Sequence, residues 1–138
     1  MKLLREMVRS TTMGIDAIDN VLPHVEDENL VKTMKTQQQS MKDLLAEAKK
    51  GLSREEIEEA EGSKLSKTML KASSSISAMM NSDTSHLARM LIEGYETGIV
   101  SLQKCMNEME KAHEEIPVCA KDLIRSYDKH IKALRKYL

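Results

Sequence analysis

The chain contains no phenylalanine and no tryptophan, and only three tyrosines. That removes the aromatic platforms on which single-stranded nucleic acids stack. Excess charge is also missing. Twenty-one Lys and Arg against 22 Asp and Glu leave a net charge of −1, too little to steer a nucleic acid or an anionic membrane. Nucleic-acid binding is disfavoured on both counts. No apolar run approaches the ~20 residues of a membrane span. The opening Met1-Lys2-Leu3-Leu4-Arg5-Glu6 places charge too early for a secretory signal. The expectation is therefore a cytoplasmic protein in which Cys105 and Cys119 are reduced thiols. No Cys-x-x-Cys, no glycine-rich phosphate loop and no Ser/His/Asp set at a familiar spacing occurs.

Two prolines and five glycines leave little to interrupt helices, and eleven methionines supply flexible filling between them. The pattern confirms the helical bias and repeats itself. Thr12-Met13-Gly14-Ile15-Asp16-Ala17-Ile18 corresponds, 84 positions on, to Glu96-Thr97-Gly98-Ile99-Val100-Ser101-Leu102; a second apolar stretch repeats at an offset of 90. Two copies of one helical hairpin are expected to pack face to face.

Four segments carry helical stripes. The first, about 2–22, places Leu4, Val8, Thr11, Ile15, Ile18 and Leu22 at alternating spacings of four and three, and Pro23 ends it. Asp27 caps the next, whose stripe is Leu30, Met34, Gln37, Met41, Leu44 and Ala48, with Gly51 as its stop. The third opens after Ser82-Asp83 and carries Ala88, Ile92, Tyr95, Ile99, Leu102, Met106 and Met109. The fourth has Pro117 in its first turn and a stripe of Ala120, Ile124, Tyr127, Ile131, Leu134 and Leu138. One domain over 1–138 follows: a first helical hairpin (1–50), a crossover (51–82) and a second hairpin (83–138).

The crossover is too patterned for a linker. Ser53-Arg54-Glu55-Glu56 is a capping box that starts a short acidic helix ending near Gly62. Leu65, Met69, Ala72, Ile76 and Met79 then mark an amphipathic helix long enough, at about 25 Å, to return the chain along the helices. The predicted fold class is an all-α, antiparallel four-helix bundle with one long crossover that carries an extra amphipathic helix. That is the ferritin-like topology.

Each stripe has one polar interruption: Thr11, Gln37, Tyr95 and Tyr127. Thr12, Glu96, Gly14, Gly98, Ser40 and His130 flank them. Folding each hairpin about its turn brings these residues to a common level, a polar core layer near the middle of the helices. Gly14 and Gly98 each cost about 1 kcal/mol against Ala in a helix interior, which points to close approach or room for a bulky neighbour.

Through "TTMGIDAIDNVL" to "KDLLAEAKKGL" and "SHLARMLIEGYETGIVSLQKCMNEM" to "LIRSYDKHIKALRKYL", the chain resembles the small, uncharacterised ferritin-like bacterial proteins built from two helical hairpins. The resemblance implies the bundle. It implies the wider superfamily's di-iron chemistry only if the ligands are there. A carboxylate-bridged pair of metals takes one Glu from each of two helices and Glu-x-x-His from each of the other two. Here the matching pairs are Tyr127 with His130 and Gln37 with Ser40, and the other helices offer Thr12 and Glu96. The centre reads as degenerate, with no cofactor. The alternative is a remnant site at Glu96 and His130 for one weakly bound divalent transition metal. Glu110-Lys111-Ala112-His113 has the right spacing, but lies at a helix end, where a histidine is favourable without metal. The first turn of the last helix would lower the Cys119 thiol, with Glu114 and Glu115 opposing.

The leading expectation is a non-enzymatic bundle that acts by homo-oligomerisation or by binding a protein partner. Met69, Met79 and Met80, beside Lys64, Lys67 and Lys71, form its candidate interface. Peripheral membrane contact is disfavoured by the serine-rich stretch in the same segment.

Overall fold

A computed structural model of the protein describes residues 1–62 and 83–138. The expected amphipathic helix over 65–79, and with it Met69, Met79 and Met80, lies outside the described residues. The described chain is all-helical, with five α-helices and no strand among the described residues.

Local signals set the helix ends. Helix α1 (Lys2–Val21) runs into a 3-10 turn, Leu22–His24, at Pro23. Helix α2 (Glu28–Lys49) begins where the Asp27 carboxylate accepts from the backbone N–H groups of Asn29 and Leu30, at 2.9 and 3.0 Å. Helix α3 (Arg54–Glu61) has the full capping box: Glu56 N–H donates to Ser53 Oγ, and Ser53 N–H to the Glu56 carboxylate, both at 3.2 Å. Asp83 caps helix α4 (Thr84–Lys111) through His86 N–H. The end of α4 is a Schellman turn. His113 takes φ 56°, its N–H donates to the Glu110 carbonyl, and Glu114 N–H reaches back to the Met109 carbonyl at 2.9 Å. Pro117 stands one residue before α5 (Val118–Leu134), not inside its first turn, and a 3-10 turn over Arg135–Tyr137 follows.

The buried faces are wider than the stripes. Leu3, Met7, Val21, Leu87, Leu91, Cys105, Leu123 and His130 join them in the interior, whereas Leu138 is 60% exposed. A face that adds a third position to each heptad is what a helix with two neighbours needs. Each fully buried Leu or Met contributes about 1.5–3 kcal/mol.

Four long helices share this core. Helix α1 packs against α2 and α4, and α5 packs against the same two. Neighbours run antiparallel. Lys2 of α1 meets Glu108 of α4 at 3.0 Å, while Ser10 faces Gly98. Thr33 of α2 meets Tyr137 beyond α5 at 3.1 Å, while Ser40 meets Ser126 at 2.9 Å. Helices α2 and α4 therefore point the same way on one diagonal, and α1 and α5 on the other. Helix α3 lies along α1, with Glu61 ion-paired to Lys49 at 2.8 Å. No helix among the described residues is long and apolar enough to cross a membrane.

Candidate functional site

The polar residues of the interior converge at mid-height. Among the described residues, Thr11, Gln37, Gln38 and His130 are the buried polar side chains, with Tyr95 and Tyr127 buried beside them. Each tyrosine closes one diagonal. Tyr95 of α4 donates its hydroxyl to Gln37 Oε1 of α2 at 2.8 Å. Tyr127 of α5 shares a hydrogen bond with Ser10 Oγ of α1, also at 2.8 Å. Gln37 in turn donates Nε2 to the His130 carbonyl at 3.3 Å. Thr11 closes on its own helix through the Met7 carbonyl at 2.7 Å. Gln38 ties α2 to α1 by donating to the Ile15 carbonyl and the Asp19 carboxylate, at 2.9 and 2.7 Å.

Three rings from the second hairpin fill the centre. The Tyr95 and Tyr127 centroids are 5.0 Å apart with the planes tilted by 43°, and Tyr95 lies 5.2 Å from the His130 ring. Tilted contacts of this kind suit aromatic quadrupoles. The space for Tyr127 is made by Gly98: a Cβ there would stand 2.8 Å from the ring edge and 3.0 Å from Ser10 Oγ. Gly14, its counterpart in the first hairpin, faces the thioether of Met41 instead.

Burial sets the electrostatics. It raises the Tyr95 hydroxyl, with Tyr127 adding to the shift. It raises Tyr127 to about 12, against a smaller opposing effect of the Ser10 hydrogen bond. It lowers His130 to about 4, helped by the neighbouring Lys129 charge. At neutral pH all three rings are uncharged, and the layer is a neutral network.

His130 Nε2 is 3.0 Å from Ser126 Oγ, which is 2.9 Å from Ser40 Oγ. Ser40 and Ser126 open on an outer groove of about 590 Å³ between α2 and α5, lined also by Thr36, Gln39, Asp43, Leu44 and Asp122. A chain of hydroxyls thus connects the buried imidazole to solvent. Sequence reading named Ser40 and His130 but passed over Ser10 and Ser126. The available signal for Ser126 was its place one helical turn before His130.

The candidate metal residues are dispersed. Glu96 is exposed and makes no hydrogen bond or ion pair with His130, and Thr12 presents only a buried hydroxyl without a partner. Glu110 and His113 are both exposed, and His113 serves the helix-ending turn. Among the described residues, no group of three or more His, Cys, Asp and Glu side chains is placed to hold a metal ion. A di-metal centre does not fit this interior: among the described residues, the buried polar set has one imidazole, bonded to a serine, and no carboxylate. The thiols are subdued. Burial raises Cys105, with Glu6 adding to it. Burial also raises Cys119, outweighing the lowering by backbone N–H groups at the start of α5 and correcting the expectation of a lowered thiol there.

No family model, curated protein or solved structure matches the chain.

Proposed function

We propose that the chain is a ferritin-like four-helix bundle, with its long crossover joining two hairpins, whose interior is structural and which acts by association with itself or with a protein partner. The antiparallel ring of α1, α2, α5 and α4 supports the topology, because only a long connection between α2 and α4 leaves them parallel on a diagonal. The buried polar set carries the functional reading. Tyr95 bonds Gln37, Gln37 also bonds the His130 carbonyl, Tyr127 bonds Ser10 and Thr11 bonds its own helix, and none of these side chains is a carboxylate. A network of this kind fixes helix register and leaves no ligand position open to a hard cation. Function then belongs to the outside of the molecule.

Light scattering on the purified full chain, with metal analysis after incubation with Fe²⁺, Mn²⁺ and Zn²⁺, tests both halves. The expected result is an oligomer, or a monomer that captures a defined protein, with no metal retained. Near two ions per chain would overturn the structural interior. One ion, lost in His130→Ala, would favour the remnant site at Glu96 and His130.

A further inference from the structure

We propose that the groove between α2 and α5 is an acyl-acceptor site, in which Ser126 takes an acyl group from a small activated ester and His130 is the base. Three observations meet here. Ser126 lines an open groove wide enough to admit a small ester. Behind it, His130 Nε2 is at 3.0 Å, the distance at which a base takes a hydroxyl proton. The imidazole is fixed from the other side by the Tyr95 ring, and its helix by the Gln37 bond to the His130 carbonyl. Nucleophile, base and orienting groups are thus in sequence from solvent to core. For Nε2 to accept, the ring proton resides on Nδ1. Ser40 Oγ, 2.9 Å from the nucleophile, is a donor on the groove side that can bond the carbonyl oxygen as it gains charge.

The step balances without an oxidant or a second reactant. The Ser126 Oγ–carbon bond forms as the hydroxyl proton moves to His130 Nε2. The tetrahedral species then expels the alkoxide into the groove, where it takes a proton from water and leaves as an alcohol, while the imidazolium returns its proton to solvent. The products are an O-acyl serine and the free alcohol. Asp43 in the groove lining disfavours anionic esters, while the Asp122 charge is offset by its ion pair with Arg125, so neutral and cationic donors are favoured. His130 sits behind Ser126, away from the groove, and is badly placed to activate water for attack on the acyl carbon. The acyl group is therefore retained, and the site accepts once instead of turning over. His130 is already neutral above pH 6, so the rate is flat from pH 6 to 8. Acylation of exposed lysines, by contrast, rises about tenfold per pH unit.

The test uses the full-length protein and p-nitrophenyl acetate, with nitrophenolate release followed by peptide mass spectrometry. The expected result is a burst of one equivalent, an acetyl group on Ser126 and a pH-independent rate over that range. Ser126→Ala should abolish the burst, and His130→Gln should slow it about tenfold, burial having made the imidazole a weak base. Ser40→Ala, a half-buried change that leaves the core intact, should slow it about tenfold. Site mapping on the unmodified chain stands even where a variant fails to fold. Acetylation confined to lysines, or Ser126 acetylation at an unchanged rate in His130→Gln, overturns the proposal. Continuous turnover that leaves no acetyl on Ser126 overturns it equally.

Discussion

The two hairpins bring opposite chemistries to the same level of the core. The first, α1 with α2, supplies short or flexible polar groups: Ser10, Thr11, Gln37 and Ser40. The second, α4 with α5, supplies rings: Tyr95, Tyr127 and His130. Neither set is self-sufficient. Two phenols inside one hairpin would bury hydroxyls without acceptors, and glutamine and serine alone would leave the middle underfilled. Placed face to face, each tyrosine hydroxyl finds a partner across a diagonal. Buried polar groups are costly unless bonded, so the pairing specifies which hairpin faces which, and at what height. Corresponding positions in similar hairpins can thus carry complementary chemistry, not equivalent chemistry.

The largest way to break this comparison is to remove a ring. Tyr127→Ala deletes a fully buried side chain beside Gly98, which has no side chain of its own to fill the space. The expected cost is about 4 kcal/mol in urea unfolding. Met41→Ala, at the equivalent glycine contact of the first hairpin, should cost about 2–3 kcal/mol, because the surrounding flexible side chains repack. Equal losses would mean that the hairpins contribute alike.

Acid should destabilise the protein through the second hairpin. His130 titrates near 4 in the folded protein against an ordinary 6.5, so between those values the unfolded chain binds the extra proton. Stability is therefore full above about pH 6.5 and declines as pH falls towards 4, by at most about 3 kcal/mol. Melting curves from pH 7 to 4.5 should show this slope, and His130→Gln should remove most of it. Asp16, raised by burial and by Asp19 and Glu61, opposes the decline because its native form retains protons. An unchanged slope in the variant would place the sensitive group elsewhere.

Next in size is the pair of glycines. An alanine Cβ at Gly98 meets the rigid Tyr127 ring at 2.8 Å, and the ring is itself backed by Tyr95. The clash should exceed the helix-propensity gain of about 1 kcal/mol and leave Gly98→Ala about 1–2 kcal/mol less stable. At Gly14 the obstacle is Met41 Sδ, at 2.6 Å but near the end of a flexible chain. Gly14→Ala should be neutral within about 0.5 kcal/mol. Parallel thermal melts decide this, and two equally harmful substitutions would refute the distinction.

Much of this arrangement was legible beforehand, and the reasons are specific. Spacings of three and four put Gln37, Tyr95 and Tyr127 on inward faces because side chains on successive turns overlie one another. The Ser53 box and the Asp27 cap were readable because capping is local chemistry. Angular position was harder. Glu96 was placed at the right height, but it lies about 100° around the helix from Tyr95 and is exposed. Ser10 and Ser126 lay just off the stripes, and their roles depend on contacts between helices that no single helix encodes.

The last comparison separates the two hydroxyls themselves. Tyr95→Phe leaves Gln37 Oε1 buried without its donor, deep between α2 and α4. That should cost about 1–3 kcal/mol. Converting Gln37 to leucine as well removes the stranded acceptor, so the double variant should be about 1 kcal/mol more stable than the sum of the single losses. Tyr127→Phe is different. Its partner, Ser10, is only half-buried and sits in a helix, where its hydroxyl can turn to the carbonyl one turn back. The expected loss is about 0.5 kcal/mol, measured by the same urea titration. If Tyr127→Phe proved as costly as Tyr95→Phe, Ser10 would have no alternative acceptor, and both diagonals would be equally binding constraints on the way the hairpins meet.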